Sequence, residues 1–150
     1  MKKRYTISVF TEDIVGLLNR VTIVFTRRKI NIESIAASDS EVQNIHRYTI
    51  VVNETEDLVK KVTLQLDKQV EVIKAVYHLD EEIIYQEIAL FKVPTDILLQ
   101  GGEAEHILRA HHARVLSVES EFTVIEKTVH KEETQHLFDE LEPFGILEFV

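Results

Sequence analysis

Between Thr11 and Ser34 the chain reads TEDIVGLLNRVTIVFTRRKINIES, and this stretch holds the residue types that can bind a small anion. Ahead of it, Arg4 to Phe10 alternates β-favouring side chains without Gly or Pro, as a strand with two distinguishable faces does. Apolar residues then recur at Ile14, Leu17, Leu18, Val21, Val24 and Phe25, which places one stripe on one face of a helix. The chain must reverse through Glu12 and Asp13 before that helix begins. Asp13 is a candidate N-cap, because its carboxylate can accept from the unpaired amides of the first turn. Gly16 is the odd residue, since glycine in a first turn costs up to about 1 kcal/mol relative to alanine. Two readings account for it. Without a Cβ, a ligand or a neighbouring chain can approach the backbone, whose exposed N–H groups and positive dipole end favour a carboxylate. Alternatively, the helix and strand pack closely at that point.

Other constellations carry no chemistry of their own. Of the seven histidines, His106, His111 and His112 are spaced five and one apart, not the three or four that stacks two imidazoles on a helix face. They read as partly exposed structural histidines, and no metal is expected. The absence of cysteine excludes disulfides and a thiolate nucleophile. No Ser, His and acid set stands in a nucleophile motif, and no glycine loop is built to cradle phosphate. The carboxylates of Glu54, Glu56, Asp57, Glu132 and Glu133 lie at predicted helix starts, where negative charge is favourable without catalysis.

Composition narrows the partners. With 45% apolar and 29% charged residues in 150, the chain is a globular protein long enough for one ordinary domain or two small ones. Lys plus Arg number 17 against 26 Asp plus Glu, and the resulting charge of −9 repels phosphate backbones and anionic membranes. The basic cluster Arg27-Arg28-Lys29 falls at the end of the first helix, where cations complement the dipole. Met1-Lys2-Lys3-Arg4 leads into a strand and not into an apolar signal core, and no segment approaches a membrane span. A cytoplasmic protein without nucleic-acid or membrane partners is expected.

The elements that position this turn read as two similar halves. In the first, strand Tyr5 to Thr11 and helix Ile14 to Arg28 precede a strand over Ile30 to Ile35 and a polar turn from Asp39 to Asn44. A strand at Arg47 to Val52, a helix striped by Leu58, Val59, Val62 and Leu66, and a strand from Val70 to Tyr77 complete the half. Asn53 with Glu56 has capping-box spacing at the start of that second helix. The order βαββαβ is that of a ferredoxin-like sandwich, with two helices on one face of an antiparallel sheet. In the second half, a strand from Ile83 to Val93 ends at Pro94, and Thr95 to Gly102 reads as a short helical piece and a loop. A helix over Glu103 to His112, strands Val115–Val118 and Phe122–Ile125, a helix over Lys131 to Leu141 and a strand Ile146 to Val150 repeat the order. The fold class is α+β, two tandem ferredoxin-like domains, with the boundary expected near Leu79 to Glu82.

The run Gly16-Leu17-Leu18-Asn19-Arg20-Val21, continued by Phe25-Thr26-Arg27-Arg28 and by Asn31-Ile32-Glu33-Ser34-Ile35, resembles the start of the small, regulatory subunits of acetolactate synthase (acetohydroxyacid synthase). Glu142-Pro143-Phe144-Gly145-Ile146-Leu147-Glu148 resembles the C-terminal signature of that family. The resemblance implies an ACT regulatory domain over residues 1–79 and a C-terminal ferredoxin-like domain over 83–150. It implies a non-catalytic subunit that activates a large catalytic subunit in branched-chain amino-acid biosynthesis and mediates feedback inhibition. Two ACT domains would form a homodimer across their second strands, with valine or a related branched-chain amino acid at the interface. The resemblance assigns that effector to Asp13, Gly16, Leu17 and Leu18 of one chain and to Asn31 and Ile32 of the other. No cofactor is implied in this chain; thiamine diphosphate, FAD and Mg belong to the large subunit. Three departures stand out. Asp13 replaces the common asparagine, and its carboxylate would repel an amino-acid carboxylate unless turned away. Lys29 replaces a helix-stopping glycine, so a different stop is expected. The family usually continues past the final strand through an arginine-threonine-glycine segment. Two other readings fit less well: a free-standing ACT-type sensor or transcriptional regulator lacks a helix-turn-helix candidate, and an acylphosphatase-like enzyme would find acids at Glu12 and Asp13 where phosphate must sit.

Overall fold

The structure is a computed structural model that describes every residue from Met1 to Val150 except Gln100, and it divides into two compact units, Met1–Ile84 and Tyr85–Val150. In the first, β1 (Lys3–Glu12) leads to α1 (Leu17–Arg27), β2 (Ile32–Asp39), β3 (Ile45–Glu54), α2 (Glu56–Asp67) and β4 (Val72–Leu79). The strands form an antiparallel sheet in the order β2-β3-β1-β4. Alternation decides what each face does. Tyr5, Ile7 and Val9 of β1 and Tyr48, Ile50 and Val52 of β3 are buried in one cluster with Val21, Val24 and Phe25 of α1 and Val59, Val62 and Leu66 of α2. Fully burying each such side chain stabilises by about 1.5–3 kcal/mol, so this shared apolar layer is what holds both helices to one face.

The second unit repeats the plan. It contains β5 (Glu87–Pro94), a single turn α3 (Asp96–Leu99), α4 (Glu103–Ala110), β6 (Arg114–Val118), β7 (Phe122–Val129), α5 (Lys131–Leu141) and the short β8 (Glu148–Phe149). Its sheet runs β6-β7-β5-β8, the same order as the first. Phe91, Val93, Ile125, Leu137 and Leu141 form its core with Leu108. Both units are therefore ferredoxin-like. The helical piece expected within Thr95 to Gly102 is α3; Gln100, in the same stretch, lies outside the described residues.

Helix ends differ from the sequence expectation in three places. The stop at Lys29 is made in the usual way after all: Lys29 itself adopts the left-handed backbone, with φ 56°. Its N–H bonds to the Thr26 carbonyl and that of Ile30 to Phe25, at 3.0 Å each, while Ile30 and Phe25 share the core. These are the two bonds and the apolar contact of a Schellman motif. At the other end Asp13 is not the N-cap, because α1 starts three residues later than expected and Gly16 takes that position. Asn53 does not cap α2 either. Pairing with Arg4 keeps it in β3, and the N-cap is Thr55, which makes no side-chain cap bond.

Glu54 ends β3 almost fully buried, beside the exposed Lys2 ammonium. The hydrogen bond from Lys2 holds its carboxyl below the usual 4.5, helped by the Thr55 amide and opposed by burial. A lowered folded-state value means stability that is present above the unfolded value and lost as pH falls through the folded one. Denaturant midpoints should show Lys2→Ala less stable than wild type by a constant margin from pH 7 down to about 5, with the margin closing toward pH 3. A separate series tests the helix stop. Left-handed backbone costs a non-glycine residue roughly 1–2 kcal/mol, partly offset by the chain entropy of glycine, so Lys29→Gly should raise unfolding free energy by about 1 kcal/mol.

Candidate functional site

The turn between β1 and α1 is pinned from both sides of the sheet. The Glu12 N–H bonds to the Glu71 carbonyl at the approach to β4, and the Asp13 N–H to the Asn44 carbonyl at the approach to β3, both at 3.1 Å. Gly16 then turns the chain into α1 with φ 85° and ψ −1°, in the left-handed region. Among the described residues no atom lies within 4 Å of where a Cβ on Gly16 would be. Close helix–strand packing therefore does not explain this glycine; the backbone angle does, and the space above it is open. Among the described residues no side chain caps α1, and its first turn carries no acid. The Leu17 N–H is taken by the Ile14 carbonyl at 3.3 Å, leaving the next amides at the positive end of the helix uncapped.

The nearby carboxylate is engaged elsewhere. Asp13 Oδ1 stands 3.1 Å from His46 Nδ1, and the other ring nitrogen, Nε2, stands 2.9 Å from Asp39 Oδ1. His46 lies opposite Thr11 on one side and Asp39 on the other, so the sheet register places it between the two acids. A neutral imidazole carries one N–H and donates to one of them, whereas an imidazolium donates to both. Either way Asp13 is turned onto β3 and not across the helix end. Nothing in the local sequence ties Asp13 to His46; only strand register could have found the pair.

The apolar members divide. Leu17 is 1% exposed and belongs to the interior, while Leu18 is 43% exposed and Val15 projects fully into solvent beside the half-exposed Ile14. The surface that a ligand would meet at this turn is thus Ile14, Val15 and Leu18, of which the sequence reading named only the last. Asn31 is exposed just after the Lys29 stop, and Ile32 begins β2 half-buried. Ile32 pairs with Val52, and Val52 with Tyr5. Tyr5 is seven residues before Glu12 on the same strand. At about 3.4 Å per residue, Asn31 and Ile32 sit more than 20 Å along the sheet from the Gly16 turn. One chain therefore brings Asp13, Gly16 and Leu18 together and leaves Asn31 and Ile32 at the opposite end.

Tandem βαββαβ units, the first with a glycine-led helix start after its first strand, define a two-domain protein of the ACT-containing, ferredoxin-like class. Residues 7–74 match the family model described as the AHAS small subunit-like ACT domain, and residues 86–150 match that of the small subunit of acetolactate synthase. The acetolactate synthase small subunit of Mycobacterium bovis is 38% identical over 97% of this chain and 86% of its own length. That of Bacillus subtilis is 34% identical over 99% of this chain and 85% of its own. The crystal structure of the small subunit from Thermotoga maritima superposes with a TM-score of 0.87 at 25% identity, covering 99% of this chain and 92% of that one. The chain belongs to the acetolactate synthase small subunit family.

Because a side chain at position 16 would meet backbone strain and no steric clash, Gly16→Ala should lower unfolding free energy by about 1–2 kcal/mol without changing the fold. Denaturant unfolding with far-ultraviolet circular dichroism of the native state checks both parts.

Proposed function

We propose that this chain is the non-catalytic regulatory subunit of acetolactate synthase in branched-chain amino-acid biosynthesis in the cytoplasm. It binds the large catalytic subunit, which carries thiamine diphosphate, FAD and Mg, raises its activity, and transmits feedback inhibition by valine or a related amino acid. Family membership over nearly the whole chain supports the partner. The observation that carries the effector site is the uncapped start of α1 at Gly16, an amide-lined, positive helix end beside exposed apolar side chains.

The arrangement calls for a second copy. β2 is an edge strand, exposed along its length after Ile32, with Ile35 40% exposed at its middle. If two β2 edges pair antiparallel about a twofold axis at their centre, Ile32 of one chain lies opposite Asp39 of the other. Asp39 is beside His46, and His46 is beside Asp13. The pairing thus carries Asn31 and Ile32 of one copy across to the Gly16 turn of the next, which a single chain does not do. In the completed site the amides beyond Gly16 hold the effector carboxylate, Asn31 bonds a polar end, and Leu18 and Ile32 meet the aliphatic side chain. Leu17 supports the turn from beneath. For binding there to inhibit, the effector must favour one state of the assembly with the large subunit over another.

Calorimetric titration with valine, leucine and isoleucine, with glycine as control, should show saturable binding of a branched-chain amino acid by a dimer. Gly16→Asp places a carboxylate where the effector's own would lie and should weaken that binding at least about tenfold, a loss of 1.4 kcal/mol or more. Activation of the large subunit should survive in the variant while inhibition is lost. Equal binding by wild type and variant, with both natively folded, would overturn the site.

A further inference from the structure

The second unit gathers three side chains that sequence spacing kept apart. His136 and Glu140 stand four residues apart on α5, and so share a face of that helix. His111 arrives from the end of α4. There His112 adopts the left-handed backbone, with φ 51°, and closes the helix through bonds from the His112 N–H to the Arg109 carbonyl at 3.1 Å and from the Ala113 N–H to the Leu108 carbonyl at 2.9 Å. A bond from Lys127 of β7 to the His111 carbonyl fixes the same turn. The His111 side chain, 15% exposed, is thereby held against α5.

One carboxylate faces both imidazoles. Glu140 Oε2 is 3.3 Å from His111 Nε2, and Glu140 Oε1 is 3.3 Å from His136 Nε2. One ligand atom from each residue can be chosen so that all three lie within 4.8 Å of one another. With metal–ligand bonds of about 2.0–2.2 Å, ligand atoms around a tetrahedral ion are roughly 3.3 Å apart. Each imidazole already stands at that spacing from one oxygen of Glu140; the two oxygens differ, so a carboxylate binding through one of them needs a rotamer adjustment to close the remaining spacings, none of which exceeds 4.8 Å. His136 is mostly exposed and free to make that adjustment.

We propose that His111, His136 and Glu140 form a binding site for a divalent transition-metal ion of the zinc type, clamping α4 to α5 in the second unit. Two imidazoles and a carboxylate suit zinc and its neighbours in the first transition row, whereas magnesium and calcium prefer all-oxygen sets. Three protein ligands leave a fourth position for water, and each imidazole binds through an unprotonated ring nitrogen. The ion joins two helices of the folded state only, so its binding raises stability by mass action. This site is independent of the effector turn in the first unit.

The test uses the full, untagged chain after chelator treatment. Zinc calorimetry should give a saturable micromolar site that raises the melting temperature, while magnesium has no effect. Cobalt should produce visible d–d absorption that zinc bleaches. His136→Ala, at an exposed position whose loss spares the core, should weaken zinc at least about tenfold and abolish the cobalt spectrum, with Glu140→Gln behaving alike. His106→Ala, which keeps all three ligands, should match wild type. Zinc binding of equal strength in wild type and His136→Ala, or no saturable zinc binding by the folded wild-type chain, would overturn the proposal.

Discussion

A left-handed residue at each end of α1 is the constraint on which the first unit depends. β1 is bonded on both edges, to β3 and β4, so its direction is fixed, and α1 must reverse over it to bury Val21, Val24 and Phe25 on the same face as Tyr5, Ile7 and Val9. Gly16 makes the entry with φ 85° and Lys29 makes the exit with φ 56°. Glycine enters without strain. Lysine does not, and its neighbour Ile30 holds the strain in place. Ile30 packs into the core and its N–H bonds back to Phe25, so leaving the left-handed turn would unpair that bond and expose an apolar side chain.

At the helix exit the second unit uses the same device, although α4 begins from an extended Gly102. α4 ends at His112 in left-handed backbone, with Ala113 bonding back to Leu108 as Ile30 does to Phe25. The edge strands β2 and β6 also carry an irregularity at the corresponding place, between Ile32 and Ser34 in β2 and between Val115 and Ser117 in β6. An extra residue there bends the edge, which makes open-ended pairing with other strands harder. What distinguishes the units is less the path of the chain than what it places at the ends of the elements: in the first, a helix start with a left-handed glycine and no acid in its first turn; in the second, two imidazoles and a carboxylate.

Much of this was legible because periodicity reports burial. The alternation of Tyr5, Ile7 and Val9 and the stripe Val59, Val62, Leu66 each marked an inward face, and two rounds of the same element order marked the fold. Helix ends were harder to read, because capping is settled by backbone angles and register. Asp13 and Asn53 are good capping residues by type, yet one is drawn to His46 and the other is held in β3 by its pairing with Arg4. Gly16 was noticed for its cost inside a helix, whereas it stands at the N-cap, where its positive φ accounts for it and the open space around it removes close packing as the reason. The residues Asp13 and His46, or His111 and His136, are distant in sequence, and only folding brings each pair together.

The acidic balance of the chain adds a last constraint on any carboxylate-binding site. At −9 overall, with Glu12, Asp13, Asp39 and Glu71 on the same end of the first sheet, the mean field disfavours an anion. Local pairing answers much of this. Asp13 and Asp39 share His46, and Glu71 is paired with Arg20 from α1 itself. Exposed pairs of this kind contribute little to stability; their effect here is that these carboxylates each face a basic partner. Asp13 is thus held by His46 and is not left as a free charge beside Gly16. His46 is held there by β3, whose pairing with β1 and β2 fixes its register on both sides.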